Sequence, residues 1–134
     1  MNGVIAVRTL LVTDTGMTAL VPEARIAAGM LPQGTDLPAL SLMSVSSVDR
    51  NISAPGPKRR VTERVQVTVL AATYRQVKAI LAAVRRAAAD QMPTIDGLFD
   101  VTVHTDTAGP DFLDEETGIH MQSQDLRVSF NEAR

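Results

Sequence analysis

Residues 61–88, VTERVQVTVLAATYRQVKAILAAVRRAA, decide the fold of this chain. Their first ten residues alternate between apolar and polar side chains, which is the period of a β-strand with one buried face and one wet face. The apolar positions are Val61, Val65, Val67 and Val69, and the polar positions are Thr62, Arg64, Gln66 and Thr68. The pattern therefore predicts a strand over residues 61–70.

A helix is predicted directly after this strand. Thr73 followed by Gln76 matches the capping box that opens helices, and Met92-Pro93 marks the end of the helical pattern. The residues expected to face the sheet are Tyr74, Val77, Ile80, Leu81, Val84 and Ala88. The basic residues Arg75, Lys78, Arg85 and Arg86 fall on the opposite arc. The helix should thus pack on the sheet and present positive charge to solvent or to a partner.

The N-terminal part of the chain predicts one short helix and two strands. Asn2 can cap a helix that ends near residues 14–16, and turn residues then bound strands over 25–30 and 39–48. Residues 51–60 contain Pro55-Gly56-Pro57 and end in Lys58-Arg59-Arg60 without an apolar period. We expect this segment to be a long mobile loop that joins two strands.

Two further strands are predicted toward the C-terminus, over 98–106 and from Ile119 to about Phe130. Phe99, Val101 and Val103 should point inward in the first strand. The apolar phase of the second strand changes along its length, which predicts a β-bulge or a break between Gln122 and Asp125. If Val103 pairs with Met121, His104 and His120 face each other across this hairpin.

These elements predict an α+β fold in a single domain spanning residues 1–134. The order of helix, three strands, helix and two strands is typical of a mostly antiparallel sheet of four or five strands. One long helix should pack on a face of this sheet, together with the short N-terminal helix.

Composition narrows the possible functions. The 134 residues contain no cysteine, which excludes disulfides and cysteine-based metal sites, and only 3% aromatic residues, which disfavours base stacking. No apolar run approaches 18 residues and no signal peptide is visible, so we expect a protein used without export and without a membrane.

Charge is divided unevenly along the chain although the net charge is only −2. Residues 50–86 hold nine basic residues and one acidic residue, whereas residues 90–132 hold ten acidic residues and one basic residue. The two halves either neutralise each other within one subunit or give each subunit two sides that attract opposite sides of its neighbours.

Catalytic and cofactor motifs are missing from the sequence. Ser41, Ser44, Ser46 and Ser47 lie in a predicted strand without a nucleophile elbow, and no phosphate-binding glycine loop is present. The acidic residues 111–116 lack calcium-loop spacing, and two histidines alone make a poor zinc site. We therefore expect no enzyme, no cofactor and no metal. Nucleic-acid binding through the basic segment is the main alternative to a structural role.

Short motifs in three parts of the chain resemble one known family when taken in order. They are Arg25-Ile26 with Leu31-Pro32-Gln33-Gly34 and Leu37-Pro38; Val65-Gln66-Val67-Thr68-Val69 running into Thr73-Tyr74 and 77–87; and Glu116-Thr117-Gly118-Ile119-His120 with Asp125-Leu126-Arg127-Val128. The chain resembles, over nearly its whole length, the tail terminator or tail completion proteins of long-tailed bacteriophages and gene transfer agents. Leu70 departs from the pattern, because relatives often carry an aromatic residue there.

The resemblance implies a structural virion protein that is assembled in the host cytoplasm. Such a subunit forms a ring, expected to be hexameric, on the head-proximal end of the tail tube, where it stops polymerisation and offers a surface for head joining. Its implied partners are copies of itself, the tail tube protein, head-tail connector proteins and, non-specifically, DNA in the lumen. Another head-tail connector protein is the alternative within this class. The candidate interface residues are Arg50, Lys58, Arg59, Arg60, Arg75, Lys78, Arg85, Arg86, Asp111, Asp114, Glu115 and Glu116.

Overall fold

The computed structural model describes residues 2–50 and 52–134, which form three α-helices, one 3₁₀ turn and six strands. The helices are α1 (Asn2–Thr13), α2 (Thr15–Leu20) and α3 (Tyr74–Ala88), with the 3₁₀ turn at Glu23–Arg25. The strands are β1 (Ile26–Ala28), β2 (Ala39–Arg50), β3 (Lys58–Ala71), β4 (Phe99–Ala108), β5 (Phe112–Asp114) and β6 (Ile119–Ala133).

The six strands form one sheet in the order β1-β2-β3-β6-β4, with β5 also paired to β6. Only the short β1 runs parallel to its neighbour, and the other pairings are antiparallel. The predicted α+β class and mostly antiparallel sheet are confirmed. The strand count is six rather than four or five, because β6 is long enough to pair with β5 and β4 in succession along one side.

Strands β3 and β6 form the centre of the sheet. Their pairing continues without a register shift from Lys58 opposite Ala133 to Ala71 opposite His120. The alternation predicted for β3 is confirmed, since its valines are buried under the helices. Glu63 shares their buried face and accepts a hydrogen bond from the Gly3 amide of α1, at 3.2 Å.

Helices α1 and α3 cover one face of the sheet. Helix α3 begins as predicted, with the Thr73 hydroxyl accepting the Gln76 amide at 3.2 Å. Its buried residues are Val77, Ile80, Leu81, Ala83, Val84, Ala87 and Ala88. Tyr74 was expected among them but is exposed, because it lies in the first turn beside Asp111 rather than over the sheet. The short N-terminal helix is also confirmed.

The prediction of a bulge or break within β6 is wrong, because the strand is continuous and its pairing with β3 has no register shift there. Gln122 and Gln124 simply occupy buried positions on the same face as Leu126, and their amides donate to the carbonyl oxygens of Gly109 (2.8 Å) and Asp125 (2.9 Å), respectively. Polar side chains on the core face, rather than a bulge, explain the apparent change of phase. Register shifts occur instead in the pairing of β4 with β6.

Because of these register shifts in β4, two predictions about side chains are wrong: the inward position of Phe99 and the facing of His104 and His120. Phe99 is exposed rather than inward, because the ladder is irregular between Phe99 and Thr102. Val103 pairs with Val128 and not with Met121, whose neighbour is β5. The two histidines are therefore not opposite each other: His104 faces Arg127 and His120 faces Leu113.

The boundaries of the first three strands also differ from those predicted. β3 begins at Lys58, so the last three residues of the predicted loop 51–60 belong to a strand, because β6 extends far enough to pair with them. Asn51 lies outside the described residues, and mobility of this segment stays a prediction. β1 ends at Ala28 because Gly29 turns the chain with a φ of +87°. β2 then continues to Arg50, and its residues 43–50 have no described strand on their outer side.

The second face of the sheet, which we call the open face, is polar. Opposed hydroxyls of Thr62 and Ser129 lie 3.2 Å apart, and those of Thr68 and Ser123 lie 3.1 Å apart. These cross-strand pairs stabilise the ladder on a surface where no described helix packs.

Candidate functional site

The basic triplet at the start of β3 is spread over both faces of the sheet. Arg59 lies on the helix-covered side, where its Nε is 3.0 Å from Glu132 Oε1 and its Nη1 is 3.6 Å from Asp49 Oδ2. Lys58 and Arg60 alternate with it and lie on the open face. A strand therefore divides three residues that appear as one cationic run in the sequence.

The other two members of the triplet also have partners within the subunit. The Lys58 ammonium lies 3.7 Å from the centroid of the Phe99 ring, a cation–π distance. Arg60 Nη1 donates to the Asp100 carbonyl at 2.9 Å, and Arg50 lies opposite Arg60 in the β2–β3 register. The triplet is thus held by its own subunit, which weighs against its use as a free nucleic-acid contact.

Lys78 and Asp111 form an ion pair between α3 and the segment before β5. Lys78 Nζ lies 2.9 Å from Asp111 Oδ2 and 2.6 Å from Gln122 Oε1, and the Tyr74 hydroxyl donates to the same carboxylate at 2.8 Å. The hydrogen bond with Asp111 raises the pKa of Lys78. The hydrogen bonds from Lys78 and then Tyr74 lower the pKa of Asp111. Both charges are satisfied inside the subunit.

The remaining basic residues of α3 are exposed, and the Arg86 guanidinium lies beside Gly16 at the start of α2. Arg75, Arg85 and Arg86 are exposed and make no ion pair with any residue in the described ranges. Glu115 and Glu116 are likewise exposed and have no ion pair within residues 2–50 and 52–134. The charge division seen in the sequence is therefore only partly neutralised within one subunit.

The two glutamates lie at the tip of the β5–β6 hairpin. Asp114 shapes this turn, since its Oδ1 accepts the Glu116 amide at 3.1 Å and its carbonyl accepts the Gly118 amide at 2.7 Å. Gly118 has a φ of +71°, a conformation that favours glycine. Asp114 is thus a turn residue that places Glu115 and Glu116 in solvent.

Sequence reasoning missed the exposed aromatic residues. Of the four aromatic side chains, Phe130 is buried, whereas Tyr74, Phe99 and Phe112 are 52%, 44% and 56% exposed. Two of the exposed rings border a pocket of about 150 Å³. It is lined by Tyr74, Val77, Asp111, Phe112, Leu113, His120 and Met121. The run of acidic residues after Phe112 was a signal in the sequence that this ring is exposed, because a core strand rarely ends in such a run.

A buried carboxylate on the open face was also missed. Asp125 accepts bonds from Arg64 Nη2 at 2.6 Å, Arg64 Nε at 2.9 Å and Gln66 Nε2 at 3.2 Å. This pairing raises the pKa of Arg64, chiefly through the hydrogen bond. Arg64 on β3 and Asp125 on β6 therefore form an ion pair between two neighbouring strands of one subunit, and this pair has a structural role.

The histidines do not form a common site. His104 Nδ1 lies 2.8 Å from Asp90 Oδ1, while the His120 ring packs edge-on to Tyr74 with centroids 6.3 Å apart. Within residues 2–50 and 52–134, no three His, Cys, Asp or Glu side chains are grouped to hold a metal ion. In the same ranges, no helix has the length and apolar character needed to cross a membrane.

Comparison with known proteins gives a family and a fold. The family described as "Tail completion protein gp17" matches residues 5–129. A chain in a solved structure, "Virion of native gene transfer agent (GTA) particle", shares 18% identity with a TM-score of 0.72, over 93% of this chain and 91% of that chain. No curated protein matches. The family match spans most of the sequence, and the chain therefore belongs to the tail completion proteins, structural components of virion tails.

Proposed function

We propose that six copies of this chain form a ring on the head-proximal end of the tail tube. The ring stops the addition of tube subunits and provides the surface to which the head is joined. The observation that carries this proposal is the family match over residues 5–129. Support comes from a fold shared with a chain of a gene transfer agent particle along nearly its full length.

A cyclic ring requires each subunit to carry two different surfaces, one for the preceding copy and one for the following copy. The unpaired charges of this subunit are consistent with two different surfaces, because one group is positive and the other is negative. Cations stand on α3 and anions stand at the β5–β6 tip, and opposite charges favour contact between unlike surfaces over contact between like ones.

The end of the molecule that carries Lys58 and Arg60 has a separate role in this proposal. Both side chains lie on the open face near the start of β3, where each contacts its own subunit. We assign this region to the tail tube, because its contacts within the subunit weigh against free contact with DNA passing through the ring.

Electron microscopy of particles made with and without the chain tests the proposed function. Without it, we expect tails of abnormal length that are not joined to heads, and re-expression of the chain should restore normal particles. Density for the protein should cap the tube in restored particles. Normal-length, properly joined tails in its absence would refute the proposal, and density confined to the head connector would favour the connector alternative.

A further inference from the structure

We infer that the exposed aromatic pocket at the β5–β6 hairpin docks on helix α3 of a second copy of this chain. The inference rests on the proposed ring and specifies its subunit contact. We name the first surface the hairpin patch, consisting of Tyr74, Phe112, Leu113, Glu115 and Glu116. We name the second surface the helix patch, consisting of Arg75, Ala79, Ala82, Arg85 and Arg86.

The hairpin patch has the composition of an interface anchor. Phe112 and Leu113 are 56% and 44% exposed in a chain that has only three phenylalanines. Aromatic side chains are enriched at the centres of protein interfaces, where they fill pockets and exclude water. Isolated exposed apolar residues are common, but here Phe112 and Leu113 border one pocket together with Tyr74.

Tyr74 of this patch is already held by contacts within its own subunit. The Tyr74 hydroxyl is bound to Asp111, and the same carboxylate is paired with Lys78. The His120 ring supports the Tyr74 ring from its edge. A ring that is already ordered loses little conformational entropy on binding, which favours association.

The charge beside the pocket identifies the chemistry of the occupant. Glu115 and Glu116 have no ion pair among the described residues, and cations at the edge of an apolar partner surface would complement them. The chain itself carries such a surface on α3. Arg85 and Arg86 are exposed without ion pairs in the described ranges, which makes a second copy the matching partner.

The shape of the helix patch fits an aromatic side chain. Ala79 and Ala82 are both exposed and, at helical spacing, lie between Arg75 and Arg86 on one stripe of α3. Two methyl groups between cations leave a shallow apolar shelf on which a ring such as Phe112 can lie. The flanking guanidinium groups are then close to the carboxylates at the hairpin tip.

The Arg85–Arg86 end of the helix patch lies far from the hairpin patch of its own subunit. Tyr74 opens α3 at the hairpin patch, whereas Arg85 lies eleven residues farther along the helix, about 16 Å away at 1.5 Å per residue. Each subunit therefore offers its hairpin patch to one neighbour and its helix patch to another. This is a head-to-tail contact, which closes into a ring when the rotation between subunits permits it.

Charge exchange between the patches tests the contact in assembled tails. Glu115→Lys with Glu116→Lys, or Arg85→Glu with Arg86→Glu, should each lower the yield of completed tails about tenfold or more. Combining all four substitutions should restore most of the yield. Asp36→Lys with Asp96→Lys is the matched control, since both residues are exposed and lie outside the patches. Failure of the fourfold variant to recover, with each pair still folded by circular dichroism, would overturn the inference.

Cross-linking gives a second measurement that does not depend on yield. Because the chain has no native cysteine, Glu116→Cys and Arg86→Cys can be placed in one chain and treated with a short thiol-reactive cross-linker in purified particles. We expect a ladder of covalent species up to six copies, and Asp36→Cys with Arg86→Cys should give none. Monomers alone from the first variant would reject this contact. Normal tails without the chain would instead reject the proposed function.

Discussion

The two faces of the β3–β6 strand pair use the same backbone ladder for different purposes. On the helix-covered face, Val65, Leu126 and Phe130 are almost fully buried against α1 and α3. On the open face, Arg64 and Asp125 pair with each other and hydroxyls meet across the strands. The first face stabilises the subunit, and the second satisfies its own polar groups. Surfaces for contact between copies of the chain are therefore better sought on α3 and at the hairpin tip, where charges have no described partner.

The largest expected difference between the faces is in the free energy of unfolding. Phe130→Ala should destabilise the subunit by about 3–5 kcal/mol, because it removes a ring that is 1% exposed and leaves a cavity. Phe99→Ala is the matched control on the open face, where the ring is 44% exposed, and should cost about 1 kcal/mol or less. Urea unfolding measures both. Equal losses would erase the proposed distinction between the faces.

A smaller effect should follow from removing the buried carboxylate of the open face. Asp125→Ala should cost about 1–3 kcal/mol, since Arg64 and Gln66 both lose an acceptor at a nearly water-free position. Asp106→Ala removes a more exposed partner of Arg127 and should cost about 1 kcal/mol or less. The same urea titration compares the two variants. A cost for Asp106→Ala as large as that for Asp125→Ala would show that burial does not determine the energy of these pairs.

The smallest effect concerns the exposed ion pair beside the hairpin patch. The lowered pKa of Asp111 means that its contribution to stability is present above the ordinary pKa of the carboxyl and is lost as pH falls through the lowered value. The raised pKa of Lys78 has the opposite sign, so its contribution is lost as pH rises through the raised value. Lys78→Met should move the pKa of Asp111 back toward its ordinary value, as followed by carboxyl NMR. An unchanged titration would mean that Lys78 does not hold this carboxylate.

Local patterns were sufficient to predict the elements that decide the fold. The alternation of β3 and the capping pair Thr73 and Gln76 are properties of a few neighbouring residues, and the structure confirms both. Gln122 and Gln124 misled the prediction because the partners that make their burial tolerable include carbonyl oxygens in another part of the chain. The register of β4 could not be predicted either, because the three-residue strand β5 displaces it along β6.

Charged residues show the same limit of sequence reasoning. The twelve candidate interface residues could be chosen by the sign of their charge. The sign does not reveal, however, which of them form ion pairs within their own subunit. Lys78 and Asp111 neutralise each other, whereas Arg86 and Glu116 do not pair within the described chain. The distinction depends on tertiary distances, as does the exposure of Phe112, whose short strand has no apolar period of its own.

Because Gly29 ends β1 early, most of β2 has no described strand along its outer side. From Met43 to Arg50, this strand runs along the margin of the sheet with outward amides and carbonyls that no described strand occupies. Such margins are sites of unwanted aggregation between chains. Here the pairing is irregular between Ser44 and Ser46, and serines separate the exposed apolar residues Met43, Val45 and Val48. Replacing these serines with apolar residues should promote pairing between the edge strands of different chains, and hence aggregation.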